Sequence, residues 1–200
     1  GGLTVEKIVI QKMWDAPVDI DSTIIPRVRK RMNFAADVVT YPRPFVHDWN
    51  NSKVELAVTA EPGNYEWADN KNIRFLGWFN NENSLADALR RSGGFGLLWH
   101  DDPVWTEYMK RNACCKLSSY LGAGLPVIVH SSVAEAETIR RKNLGLVVES
   151  LDEAAERVEH MTQEQYNRMV QDVDSFGSLV RQGYFVKKVL TDAVFELLYD

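Results

Sequence analysis

Lys116 lies in the run CCKLSSYLGAG, between the apolar stretch FGLLW and a second apolar stretch, PVIV. A helix that opens just past the carboxyl end of a strand presents unpaired backbone amides and the positive end of its dipole. A lysine in its first turn adds a full charge, and the three together attract phosphate. Ser118, further into the same turn, could donate to the same phosphates, while Ser119 and Tyr120 fit helix packing equally well.

Arg43 sits between Pro42 and Pro44 in TYPRPFVHDW. Each proline sets its own φ and biases its predecessor toward extended backbone, so the guanidinium is displayed from a stiff loop. An ordinary surface arginine would look the same. Trp78, Phe79 and Trp99 follow strands, where a planar base could stack, although rim or core packing accounts for each one singly. Asp101 and Asp102 suggest carboxylates bridging a divalent cation to phosphate. Neighbours on an extended chain point opposite ways, however, which disfavours a shared ion. His100 could move a proton near the cleft but has no evident partner. The glycines of GGFG permit close backbone approach without forming GxGxxG.

No GxSxG, Walker lysine or pair of catalytic carboxylates can be picked out, so the catalytic residues stay unassigned. The two cysteines, Cys114 and Cys115, are adjacent, which argues against a disulfide framework and a zinc site. The four histidines show no HxxxH spacing, and no metal is expected.

The elements that must position these groups follow from patterning. The chain of 200 residues is 45% hydrophobic, with six tryptophans and a net charge of -5, as in a folded globular protein. It carries no overall basic field, so nucleic acid is not the expected partner. The basic run RVRKRM (27–32) has no interleaved aromatics and reads as a solvated helix. No apolar run approaches the roughly 20 residues of a membrane span, and no charged-then-apolar leader opens the chain. A cytoplasmic location is expected.

Residues 3–11 read as a strand and 13–26 as linker. Strands are predicted at 36–41, 54–59, 72–77, 95–99 and 126–130. A helix carries Leu85, Ala86 and Leu89 inward, an irregular loop fills 100–113, and a helix opens near 114–116 and stops at GAG. A helix at 133–141 ends at Gly145, the strand LVV follows, and helices are predicted at 150–161, 162–174 and 184–199, the first with Ser150 and Glu153 as a capping box. Strand, helix and strand in about 40 residues, with both strands too apolar to alternate, signal a parallel βαβ unit. Their repetition makes a doubly wound, Rossmann-like α/β sheet with right-handed crossovers. Ligands in such sheets sit beyond the carboxyl ends of the strands, so the loops after Tyr41, Gly77, Trp99 and Ile128 should rim one cleft. The last helix has Val186, Val189, Leu190, Ala193, Val194 and Leu197 along one side, yet Phe185, Phe195 and Leu198 fall outside that stripe. So wide an apolar surface implies a second contact, with a further domain or with another copy in a homo-oligomer.

The segments GGFGLLWHDD, KLSSYLGAGLPVIV, NLGLVVESLDEA and LVRQGYFVKKVLTDAVFELL resemble the carboxyl-terminal half of the glucosyltransferase 3 family. Those enzymes glycosylate serine-rich repeat adhesins of streptococci and lactobacilli. The opening LTVEKIVIQKMWD resembles the point where that family's first domain gives way to its second. More broadly, the KLxxY helix and GxPVI strand are similar to the donor half of GT-B glycosyltransferases.

The resemblance implies metal-independent transfer, retaining or inverting, of a hexose from a UDP-sugar. UDP-glucose is the expected donor, and N-acetylglucosamine already attached to Ser or Thr of an adhesin is the expected acceptor. No cofactor is implied beyond the UDP-sugar substrate. Lys116 would correspond to the lysine on the donor diphosphate, Arg43 to an arginine near it, and Trp78 or Phe79 to an aromatic position lining the nucleotide. The donor-binding set so expected is Lys116, Arg43, Trp78, Phe79, Trp99, Asn112 and Ser118. There are two departures. Ser119 stands where many GT-B donor domains carry a glutamate that grips the ribose, and Cys114 with Cys115 stands where relatives often show a proline and a polar or aromatic residue.

Such enzymes have two Rossmann-like domains. The expected organisation is therefore residues 1–26 as interdomain linker and the end of a first domain, and 27–200 as the nucleotide-sugar-binding domain with a carboxyl-terminal helical tail. Alone, this chain should bind UDP without turning over sugar. One alternative is a noncatalytic glycosyltransferase-like subunit that recognises the acceptor or holds an assembly together. Another is an unrelated doubly wound domain for a different phosphorylated ligand.

Overall fold

The apolar runs FGLL and VIVH form two central strands, β4 (Phe95–Leu98) and β5 (Val127–His130), and β4 is buried throughout. In the computed structural model, which describes residues 8–41, 43–63 and 66–199, they belong to a six-stranded sheet. The others are β1 (Arg31–Phe34), β2 (Glu55–Val58), β3 (Ile73–Phe75) and β6 (Gly145–Val148). All pairs are parallel, in the order β3-β2-β1-β4-β5-β6. The doubly wound expectation holds, and the strand order reverses between β1 and β4.

Eight helices are described: α1 (Pro44–His47), α2 (Glu82–Ser92), α3 (Pro103–Met109), α4 (Cys115–Gly122), α5 (Ala136–Arg141), α6 (Leu151–Glu159), α7 (Gln163–Arg181) and α8 (Tyr184–Tyr199). Leu89, Leu121 and Ile139 of α2, α4 and α5 bury against Val127 and Val129 on one face of the sheet. Val46, Ala155 and Tyr166 of α1, α6 and α7 bury against Phe34, Leu97 and Ile128 on the other. No described helix is long and apolar enough to cross a membrane.

Several boundaries differ from the sequence reading. The first described strand is RMNF, not 36–41, and no helix precedes it among the described residues. Its polar residues find partners: Arg31 bonds Glu55 and the Ser92 carbonyl, and buried Asn33 donates to the Gly93 and Phe95 carbonyls. Residues 36–41 turn because the Asp37 carboxylate accepts the amides of Val39 and Thr40 at 3.0 and 2.8 Å. The loop beyond β1 therefore starts at Ala35, six residues before Tyr41.

The loop expected at 100–113 contains α3, started by Pro103 behind an Asp102 cap. Helix α5 opens at Ala136 rather than 133. The left-handed residue after it is Asn143 (φ 53°), while Gly145 opens β6. Helix α7 runs on to Arg181. The strand expected at 3–11 lies partly outside the described residues, and residues 8–10 are not strand. Part of the segment read as linker packs into the fold: Met13, Ala16 and Val18 are buried, and the Ala16 amide donates to the Val180 carbonyl.

Candidate functional site

The switch point between β1 and β4 gathers the charged candidates. The chain leaving β1 runs to Arg43, whose carbonyl accepts the first amide bonds of α1. The chain leaving β4 carries Trp99, His100, Asp101 and Asp102. Asp101 Oδ2 accepts the Phe45 amide at 2.9 Å, which ties the two loops together. Asp102 points elsewhere and caps α3, accepting from the Val104 amide at 2.7 Å. The adjacent carboxylates thus serve two different helices. Among the described residues, no cluster of His, Cys, Asp or Glu could hold a metal ion.

His100 reports the electrostatics. Burial, then the positive charges of Arg43 and Lys116, lower its pKa from 6.5 to about 4, against the weaker opposite pull of Asp101 and Asp102. Two cations from separate elements therefore bear on one imidazole. The His100 ring stacks on Trp105, with centroids 5.5 Å apart, and its Nδ1 is buried without a hydrogen-bond partner, as is Arg43 Nε. Lys116 is half-buried in the first turn of α4, and its ammonium has no hydrogen-bond or ion-pair partner among the described residues. A lysine in the first turn of a helix, with a second cation acting on the same imidazole, is suited to an anion.

The other expected residues spread along the sheet edge. Trp99 is half-buried and meets His130 edge-on, at 5.4 Å. His130 Nδ1 accepts the Ser132 amide at 3.0 Å, and its Nε2 lies 3.8 Å from Glu149. Asn112 lines a shallow groove of about 630 Å³ beside α3, with Val104 and Tyr108. Trp78 (59% exposed) and Phe79 follow β3. That strand is three strand spacings, about 14 Å, from β4. Ser118 is 1% exposed and its Oγ donates to the Trp14 carbonyl at 2.6 Å. A phosphate contact from Ser118 would require that bond to break. Pro42, on the amino side of Arg43, lies outside the described residues.

A family described as "Glucosyltransferase 3-like, C-terminal domain" matches residues 32–193. The chain belongs to that family. It is 40% identical over 201 residues to a glucosyltransferase 3 of Streptococcus gordonii, covering 98% of this chain and 58% of that protein. A glucosyltransferase 3 of Streptococcus parasanguinis is 32% identical over 203 residues, which covers 100% of this chain and 57% of the relative. Similarity extends to a beta-1,6-galactofuranosyltransferase, WbbI, of Escherichia coli (strain K12), 31% identical over 141 residues, or 67% of this chain and 42% of the relative. The chain thus spans well under two thirds of these relatives. Family membership agrees with the fold: the parallel sheet of 321456 order is a Rossmann-like glycosyltransferase domain.

Sequence reading missed two groups here. Tyr120 looked like ordinary packing, and its part at the switch point appears only when β1, β4 and α4 are brought together. Glu135, just before α5, is buried with Oε2 unpartnered, and burial pushes its pKa up to about 7. An acidic residue in the sequence VAEAET carries no sign of that.

Proposed function

We propose that this chain is the donor-binding half of a GT-B glycosyltransferase. It holds the diphosphate of a UDP-sugar between Lys116 and Arg43 and delivers the hexose toward an acceptor presented by a second domain. The observation that carries this reading is the convergence of both cations on His100 at the switch point, beside the start of α4. Open α/β sheets bind ligands at that place, and neither cationic side chain has a hydrogen-bond or ion-pair partner among the described residues.

Within this reading Lys116 acts as a point charge on the phosphates, and the α4 amides offer further donors. Arg43 approaches from the β1 side. Trp99 and Asn112 flank the sugar end, and Trp78 or Phe79 lines the far end of the nucleotide. The cations neutralise the leaving diphosphate without a metal. The relatives' names specify glucose twice and galactofuranose once, which supports a hexose donor, UDP-glucose first. The acceptor is N-acetylglucosamine on Ser or Thr of a serine-rich adhesin, met in the cytoplasm. Because the acceptor side belongs to the other domain, this chain by itself binds UDP and does not transfer sugar. The exposed apolar surface of α8, where Leu190, Phe195 and Leu197 are each more than half uncovered, favours self-association.

Calorimetry tests the reading. UDP should bind saturably, and Lys116→Ala should weaken it by about 1–3 kcal/mol, the worth of a charge-assisted contact. Binding unchanged in that variant removes the assigned pocket. The exposed α8 also suits a noncatalytic assembly subunit, which would give no heat with UDP or UDP-glucose but a mass that rises with concentration.

A further inference from the structure

The phenol of Tyr120 joins three segments: the loop beyond β1, strand β4 and helix α4. Its oxygen accepts the Ala35 amide at 2.7 Å and donates to the Leu97 carbonyl at 3.1 Å. Ala35 is the first residue beyond β1, on the way to Arg43, and Leu97 lies just before the end of β4, on the way to His100. Tyr120 itself is in α4, one helical turn after Lys116 and on the same side of the helix. One oxygen of a fully buried side chain therefore connects the segments that lead to Arg43, Lys116 and His100.

The fit is close. A Cβ at Gly96, in the middle of β4, would stand 2.3 Å from Tyr120 Cγ, so only a glycine lets the ring lie flat over that strand. The second glycine of GFG, in a run that the sequence marks for close approach, thus makes room for a side chain. Nothing else on α4 provides this link: Leu117 and Leu121 are apolar, and Ser118 turns to Trp14.

We infer that Tyr120 is the positioning residue of the donor site: by hydrogen-bonding the β1 loop and β4 at once, it sets where α4 begins and so where Lys116 stands relative to Arg43. The inference rests on the diphosphate reading above. A site braced by a hydroxyl at its centre loses preorganisation when that hydroxyl goes, even though no ligand atom touches it.

A double-mutant cycle on UDP binding tests this. Tyr120→Phe keeps the ring and should weaken UDP about tenfold, the usual scale of a positioning loss of this kind. In the Lys116→Ala background the same change should cost less than about twofold, since the cation it positions is gone. Equal losses in both backgrounds, or no loss in either, overturn the inference while leaving the pocket in place. A Lys116→Ala protein that binds UDP like its parent overturns the pocket and the inference with it. Leu121→Ala, which unsettles α4 from the same core without touching the switch point, should lower the melting temperature and leave affinity within about twofold. Should it reproduce the Tyr120→Phe loss, the effect is one of stability and the inference fails. Where Tyr120→Phe does not fold, amide exchange in the parent decides. UDP should slow exchange at Ala35 more than in β2, and an equal effect at both counts against the assignment.

Discussion

Asp101 caps α1 from a neighbouring strand: its Oδ2 accepts the Phe45 amide at 2.9 Å, across the point where the sheet reverses direction. A carboxylate that reads in sequence as a metal ligand is instead a strut between the β1 and β4 loops. It fixes the backbone next to Arg43 and stays close enough to His100 to offset part of the pull of the two cations.

Arg43 should behave as the second half of a pair. Arg43→Ala is expected to weaken UDP by about 1–3 kcal/mol, and Arg43→Lys should recover only part of that loss, because a bidentate grip on phosphate is lost with the guanidinium. Raising salt from 50 to 500 mM should weaken parent and variant alike, and more steeply in the parent. Titration calorimetry at both salts reads the difference.

Ser118 provides the opposite case. Removing its buried hydroxyl takes away the donor to the Trp14 carbonyl, so Ser118→Ala should cost about 1 kcal/mol of stability. UDP affinity should stay within twofold of the parent, on the order of 0.4 kcal/mol. Chemical denaturation alongside calorimetry separates the two roles, and a large affinity loss at unchanged stability would return Ser118 to the phosphates.

His100 should couple nucleotide binding to protons. Unbound, it titrates near 4 because burial and the nearby cations disfavour its charged form. A bound diphosphate offsets those cations, so the bound pKa rises, and at a pH near and just above about 4 binding draws a proton from solution. Affinity therefore increases as pH falls through that window. Calorimetry in two buffers of different ionisation heat should register more uptake for the parent than for His100→Gln. The phosphates' own titration is common to both proteins.

Glu135 should mark the stability profile. Its folded pKa is about 7 against 4.5 for the free group. Below 4.5 both states hold the proton; as pH rises toward 7 the unfolded state releases it while the folded state keeps it. The parent thus loses stability across that interval relative to Glu135→Gln, and the gap levels off above pH 7. Urea midpoints at pH 4, 6 and 8 for the two proteins measure it, and a pH-independent gap would sink the idea.

Much of the fold could be read before any tertiary contact was known. β4, α4 and β5 declare themselves because a strand buried on both faces must be apolar throughout, and such a run is conspicuous. The helix carrying Leu89 and the Ser150 cap are equally local: Glu153's amide does bond Ser150 Oγ, although the Glu153 carboxylate reaches Glu149 rather than Ser150. Where polar residues find partners across the sheet, the pattern misleads. RMNF is a strand because Glu55, Ser92, Gly93 and Phe95 satisfy Arg31 and Asn33, and these partners lie up to 62 positions away.

The sequence by itself determined the sheet class, the helix that starts at the cysteine pair, and Lys116 as a cation in its first turn, since these depend on periodicity and on one turn of backbone. Only the tertiary structure decided which groups share the switch point. It brought the charges of Arg43 and Lys116 to bear on the same histidine, gave Asp101 and Ser118 scaffold bonds, and placed a tyrosine hydroxyl where three segments meet. Those assignments depend on distances between residues remote in the chain, and short-range patterning carries no record of them.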